Sequence, residues 1–159
     1  MVIVDGYNLL RSLESSSQTD ELISDLGMCQ ILGRYLRQIN DTGIVVFDGI
    51  GPPDKTGFNG ITNLEVLFSG TRHDADTVIE HKIQASTAPK RLIVVSSDRR
   101  LRDAARLRKA VTIKSDEFWS EAVKHLRRQK KNKVEPREKF SGLTESETKQ
   151  WLKLFDLEQ

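Results

Sequence analysis

The sequence holds a single cysteine, Cys29, among 159 residues. One thiol cannot close an internal disulfide and cannot build a cysteine-rich zinc site. A reducing, cytoplasmic setting is the expectation that follows. Long apolar runs are missing too, so no membrane-spanning helix is expected. The opening segment, MVIVDGYNLL, lacks a basic stretch ahead of its apolar residues and carries Asp5 at once, so it does not read as a secretory signal. No internal repeat is visible, and Ser15-Ser16-Ser17 is the only low-complexity tract. What is present suits one folded domain: 37% hydrophobic and 30% charged residues are enough for a core with a solvated surface.

The net charge of +2 hides an asymmetry. Residues 1–123 carry a net −2, residues 124–139 a net +6, and residues 140–159 a net −2. A short stretch with that surplus attracts polyanions, of which phosphate backbones are the commonest. Lys124, Arg127, Arg128, Lys130, Lys131, Lys133, Arg137 and Lys139 make it up. Its plain alternative is a solvated helix end and linker.

Residues 1–123 alternate strand-like and helix-like signals. Val2-Ile3-Val4 is a short apolar strand ended by Asp5-Gly6. From about residue 20 to 39, Leu22, Leu26, Cys29, Leu32 and Leu36 recur on one face of a helix. Ile44-Val45-Val46-Phe47 is apolar throughout, the habit of a strand buried on both faces. Further strands are expected over residues 64–68, 92–95 and 111–113, with helices starting near Asp74, around Leu101 and at about Ser115. This alternation calls for a parallel sheet covered by helices, an α/β three-layer domain of about five strands. The segment GIGPPDKTGFNGITN, residues 49–63, is a Gly/Pro-rich loop longer than most. Residues 124–141 read as a basic helix end and linker. Residues 142–159 read as an amphipathic helix carrying Trp151, Leu152, Leu154 and Phe155.

Carboxylates fall at the strand ends. Asp5 closes the first strand, Asp48 the second and Asp98 the fourth, while Asp76 opens the helix after the third. The carboxyl ends of parallel strands form the ligand-binding edge, so these acids are expected to share one crevice if the first strand lies between the second and fourth. Two full charges about 4 Å apart repel by roughly 4 kcal/mol at an effective dielectric of 20. The protein must then raise a pKa or bind a cation. Oxygen ligands without His or Cys suit Mg²⁺ or Mn²⁺, and such ions are the usual machinery of phosphodiester hydrolysis. Singly, Asp5 and Asp98 also sit where Asp caps helices.

Rival α/β chemistries leave no matching motif. After the first strand stands Asp5-Gly6-Tyr7-Asn8, not G-x-G-x-x-G, and G-x-x-x-x-G-K-[ST] does not occur. A D-x-D phosphatase would need Asp where Tyr7 stands. A phosphoacceptor receiver domain is the nearest rival, with Lys114 after the last strand, but it would want paired acids after the first.

Val4-Asp5-Gly6-Tyr7-Asn8, Val46-Phe47-Asp48-Gly49, Ala75-Asp76-x-x-Ile79-Glu80 and Ser96-Ser97-Asp98-Arg99, in this order, resemble the NYN domain family of the PIN-like nuclease superfamily, in its YacP-like branch. The resemblance implies strand order 3-2-1-4-5 and metal-dependent ribonuclease activity leaving 5′-phosphate and 3′-hydroxyl ends. It implies that Asp5, Asp76 and Asp98 hold Mg²⁺ or Mn²⁺, with Asn8 and Asp48 beside them in the catalytic set. Ser96 matches a hydroxyl near the last acid. One relative type in this branch is a ribosome-associated endoribonuclease that cuts mRNA, which implies RNA and the ribosome as partners. A further acid on a helix between the second and third strands is missing here. Asp54 and Glu65 do not fill that place, and Glu80, one helical turn from Asp76, is the candidate substitute.

Arg99, Arg100 and Arg102 follow Asp98 and are candidate phosphate-binding residues, as are Lys124, Arg127, Arg128, Lys130 and Lys131. The leading expectation is a divalent-metal-dependent endoribonuclease. The alternatives are a non-catalytic RNA- or ribosome-binding module and, third, a receiver-like signalling domain.

Overall fold

The computed structural model describes residues 1–16 and 23–132. Five strands alternate with helices: β1 (Val2–Asp5), α1 (Gly6–Ser16), α2 (Asp25–Gln38), β2 (Gly43–Phe47), α3 (Thr56–Asn59), β3 (Leu64–Phe68), α4 (Ala75–Ala85), β4 (Ile93–Val95), α5 (Arg99–Leu107), β5 (Val111–Ile113) and α6 (Ser115–Asn132). A short 3₁₀ turn, Pro89–Arg91, leads into β4. The sheet order is β3-β2-β1-β4-β5, and every pairing is parallel. The expected α/β architecture and strand order are both found. A receiver-like domain is excluded by the same observation, because that fold orders its strands 2-1-3-4-5.

Alternation along the strands builds two cores. Val2, Val4, Val45, Phe47 and Val95 face one way, against Leu9 and Leu13 of α1, Met28 and Leu32 of α2, and Phe118 and Trp119 of α6. Ile3, Ile44, Val46 and Val94 face the other way, against Ile79 and Ile83 of α4 and Leu101 of α5. Burying both faces is why β1 and β2 read as unbroken apolar runs. Each fully buried Val, Leu or Ile contributes about 1.5–3 kcal/mol by leaving water.

The path after β1 differs from the expectation. Residues 17–22, with the expected helix start near residue 20, lie outside the described residues; before them the chain holds a helix that the expectation lacks. The chain enters α1 at once, and Leu9, Leu10 and Leu13 bury that helix. The next helix starts at Asp25 because Ser24 caps it, its Oγ accepting from the Gly27 N–H at 3.0 Å. The i, i+1, i+4 spacing of those leucines is the signal for α1, in a segment too short to stand out. The long loop after β2 also contains α3, anchored by buried Phe58.

The immediate step from β1 into α1 depends on Gly6. A Cβ there would sit 2.5 Å from the Phe47 ring. Phe47 is fully buried and cannot swing away. Gly6→Ala is therefore expected to destabilise the fold by about 1–3 kcal/mol, the usual cost of overpacking, read as a lower urea midpoint with unchanged m-value.

Residues 133–159 lie outside the described residues. The readings of Lys133, Arg137 and Lys139 as basic linker, and of 142–159 as an amphipathic helix, fall there. Cys29 is buried, and burial with the nearby Asp25 charge pushes its thiol up to about 12, so it stays protonated. Among the described residues no helix is long and apolar enough to cross a membrane.

Candidate active site

The chain runs β1-β2-β3 towards one edge of the sheet, then returns to add β4 and β5 on the other side of β1. The crevice beyond β1 and β4 is the switch point at which such sheets bind ligands. An open cleft of about 430 Å³ lies there. Asp5, Asp48, Asp76 and Asp98 all line it, as the strand-end reading expects. Asn8, Tyr7 and Arg11 of α1 complete one wall. Asp74 lines it too. In the sequence that residue is legible only as a helix start, and it does cap α4, accepting from the Thr77 N–H at 2.8 Å.

Local backbone chemistry fixes three of the acids. Asp5 Oδ1 accepts from the Asn8 N–H at 3.3 Å, and Ser96 Oγ lies 3.5 Å from Asp5 Oδ2. Ser96 is wholly buried, and its Oγ accepts the Asp98 N–H at 3.0 Å. One hydroxyl thus links the first and last acids. Asp98 caps α5, its Oδ1 accepting from the Arg100 N–H at 2.7 Å. Capping and a place in the cleft therefore coexist in one residue. Asp48 Oδ1 accepts from Ser69 Oγ and from the Ala75 N–H, both at 3.1 Å. Gly49 and Gly70 make this corner possible. They pair as an antiparallel bridge with φ of +88° and +81°, where a side chain would be strained.

Asn8 is the junction of three elements. Its Oδ1 accepts from the Ser97 N–H at 2.9 Å and from Ser115 Oγ at 2.6 Å. It thereby ties α1 to the turn after β4 and to the start of α6. Ser115 is wholly buried, and sequence reasoning does not single it out because Ser at a helix start reads as an ordinary cap. Asn8→Ala leaves that hydroxyl without its acceptor and is expected to cost about 1–3 kcal/mol in chemical denaturation. Asn8→Asp keeps the acceptor but adds a sixth carboxylate to the cleft, so it is not expected to restore that stability at neutral pH.

Electrostatics distinguish this cleft from a set of unrelated caps. The Asp5 carboxyl is pushed up to about 6 by burial first, with the Asp76 and Asp98 charges adding to it against the lowering Asn8 hydrogen bond. Asp76 is likewise raised, by burial and then by Asp98 and Asp74. Three acids from distant parts of the chain therefore feel one another. Among the described residues, however, no three His, Cys, Asp or Glu side chains converge closely enough to enclose a metal ion.

The surrounding basic residues separate into groups. Arg100 grips Glu80 with two hydrogen bonds, Nε to Oε1 at 2.7 Å and Nη2 to Oε2 at 3.0 Å. Glu80 does not line the cleft, and this pair staples α4 to α5 at its side. Arg99 is exposed, 3.8 Å from Asp103. Arg102 is half-buried. Arg72 and His73 are exposed and do not line the cleft. Lys124, Arg127, Arg128, Lys130 and Lys131 lie exposed along the second half of α6, and this helix runs back from the cleft edge. At about 1.5 Å per residue, Arg127 lies roughly 18 Å along that helix from Ser115.

A parallel 3-2-1-4-5 sheet with aspartates gathered at its carboxyl edge defines a nuclease-type α/β domain. The sequence profile of the YacP-like NYN domain matches residues 2–155, and the chain belongs to that family. The fold is similar to the crystal structure of Rae1 (YacP) from Bacillus subtilis, with a TM-score of 0.67 at 24% identity over 83% of this chain and 78% of that one. A tryptophan-to-leucine variant of the same Bacillus subtilis protein superposes with a TM-score of 0.59 at 21% identity, covering 84% of each chain. Among curated proteins none matches.

Proposed function

We propose that this protein is a cytoplasmic, divalent-metal-dependent endoribonuclease that hydrolyses RNA phosphodiester bonds, acting on mRNA at the ribosome. The observation that carries the reading is the raised pKa of Asp5 within a cleft lined, among the described residues, by five aspartates and only one cationic side chain, Arg11. A cleft so charged is at a disadvantage until positive charge enters it.

The donor set fits a hard cation. All the candidate ligands are carboxylate oxygens, and Mg²⁺ takes only one or two carboxylates directly while keeping several waters. That habit accommodates aspartates that do not converge on one point. Asp5, Asp76 and Asp98 are the residues that would hold Mg²⁺ or Mn²⁺. An ion there supplies positive charge against the phosphate oxygens and makes a water more acidic. Asp48 holds the first turn of α4, and with it Asp76, at the cleft. Asn8 and Ser96 fix Asp5 and the turn bearing Asp98. Arg99 and the basic half of α6 offer charge to the phosphate backbone. Arg100 acts mainly through Glu80, as a staple between two helices that carry acids.

The test is cleavage of single-stranded RNA by the full chain in Mn²⁺ and after EDTA. Cleavage is expected only with the metal, leaving 5′-phosphate ends that a ligation assay captures. RNA affinity is expected to fall steeply with salt, and neutralising Lys124, Arg128 and Lys131 should flatten that slope by about one unit for each phosphate no longer paired with a cation. The second reading, an RNA-binding module without catalysis, is favoured by the lack of three convergent ligands among the described residues. Salt-sensitive RNA binding with no cleavage in Mn²⁺ would establish it and refute the first.

A further inference from the structure

The cleft has one aromatic wall. Tyr7 is the second residue of α1, two positions past Asp5, and it lines the cleft while only partly buried. Its ring rests edge-to-face on Phe47, with centroids 5.1 Å apart and planes at 64°. Phe47 is fully buried and stacks on Phe68 at 5.6 Å and 22°. Phe58 closes the block with T-shaped contacts to Phe47 and Phe68 at 6.4 and 5.5 Å. Four rings thus form one rigid unit, and Tyr7 is the one that reaches the cleft.

The rest of the cleft gives an RNA strand little to hold. Among the described residues its other lining side chains are five aspartates, one asparagine, one arginine and Ala75. Carboxylates repel phosphates, so a contact with the base adds affinity that the backbone does not find on these side chains. Every nucleobase has a π-face, and stacking on a fixed aromatic ring is the sequence-tolerant way to hold a single strand. Tyr suits the task because it offers a large ring at small conformational cost.

We propose that Tyr7 is a stacking platform for one nucleobase of single-stranded RNA, next to the phosphate that the aspartate cleft receives. This rests on the reading of the cleft as an RNA phosphodiester site. The base belongs to a nucleotide flanking that phosphate. Phe47, with Phe58 and Phe68 behind it, keeps the Tyr7 ring from turning aside when the base arrives.

The test measures binding, so it does not depend on turnover. The full chain is titrated in Ca²⁺ buffer against a fluorescein-labelled single-stranded RNA and against copies in which one position at a time is abasic. Tyr7→Leu is expected to weaken binding of the intact RNA roughly 10-fold. One abasic position should weaken the wild type by a similar factor and should have no further effect on Tyr7→Leu. Tyr7→Phe keeps both the ring and its packing, and is expected to retain the wild-type response even if Tyr7→Leu folds poorly. Wild-type affinity in Tyr7→Leu, or abasic effects that add in full to that variant or are absent from the wild type, would overturn the proposal. The same RNA in Mn²⁺ reports on catalysis separately. Coupling between Tyr7 and one base without cleavage sinks the nuclease reading alone, and absence of RNA binding sinks both.

Discussion

Asp98→Asn is expected to reduce RNA cleavage in Mn²⁺ by at least about 10²-fold, on the scale seen when one group stabilising a charged transition state is removed. The substitution separates charge from structure. Asp98 caps α5 through a single oxygen accepting from the Arg100 N–H. Asn is as good a cap as Asp, and its amide oxygen can take the same hydrogen bond. The Asp98 N–H still meets Ser96 Oγ. Helix content and melting temperature should therefore stay close to wild type while turnover collapses, read by single-turnover cleavage alongside circular dichroism. Asp98→Ala would confuse the two effects, because it also removes the cap. Cleavage near the wild-type rate in a folded Asp98→Asn protein would show that the cleft's charge is not used.

Asp5→Asn should stabilise the metal-free protein while destroying its activity. The Asp5 carboxyl titrates at about 6 in the folded chain against 3.8 for an unperturbed aspartate. A raised carboxyl means the folded state holds its proton more tightly than the unfolded state. Below about pH 4 both states are protonated and Asp5 imposes no penalty. As pH rises from there to about 6, the unfolded chain releases its proton first and stability falls. Above that range the penalty is constant, on the order of 3 kcal/mol. Asn carries no such charge, and its oxygen can still accept from the Asn8 N–H. Urea denaturation should show the two proteins nearly equal at pH 4 and separated by roughly 2–3 kcal/mol at pH 8, the variant being the more stable. Mn²⁺ should close that gap by binding the folded wild type and not the variant. A gap that is unchanged by pH, or reversed in sign, would mean that Asp5 is not strained.

These two expectations draw unequally on sequence and structure. Asp98 and Asp5 are visible as acids at strand ends, and the step from there to one crevice needs the rule for parallel sheets and a first strand lying between the second and fourth. Asp76 is reached by the same rule, as the first acid of a helix that returns from the carboxyl edge. Asp74 escapes it because a capping role explains that residue completely. Nothing in a linear pattern says that a capping carboxylate also faces a cavity. Glu80 shares a helical face with Asp76, and that spacing makes it a candidate ligand. Arg100, twenty residues away on another helix, takes both of its oxygens instead.

The sequence by itself determined the architecture, because period and burial are written residue by residue. Apolar runs such as Ile44-Val45-Val46-Phe47 have the habit of central strands, and short alternating units call for a parallel sheet. It also determined which strands end in acid. α1 escapes a linear reading because eleven residues with three buried leucines lie next to a strong strand signal that ends in Asp-Gly, itself a turn pattern. Only the tertiary structure decided which acids feel one another, that Asn8 spends its amide oxygen on Ser97 and Ser115, and that Tyr7 faces the cleft with three rings behind it. Those facts depend on distances between residues far apart in the chain. Coulomb energies, desolvation and hydrogen bonds vary steeply with such distances, and only the folded packing sets them.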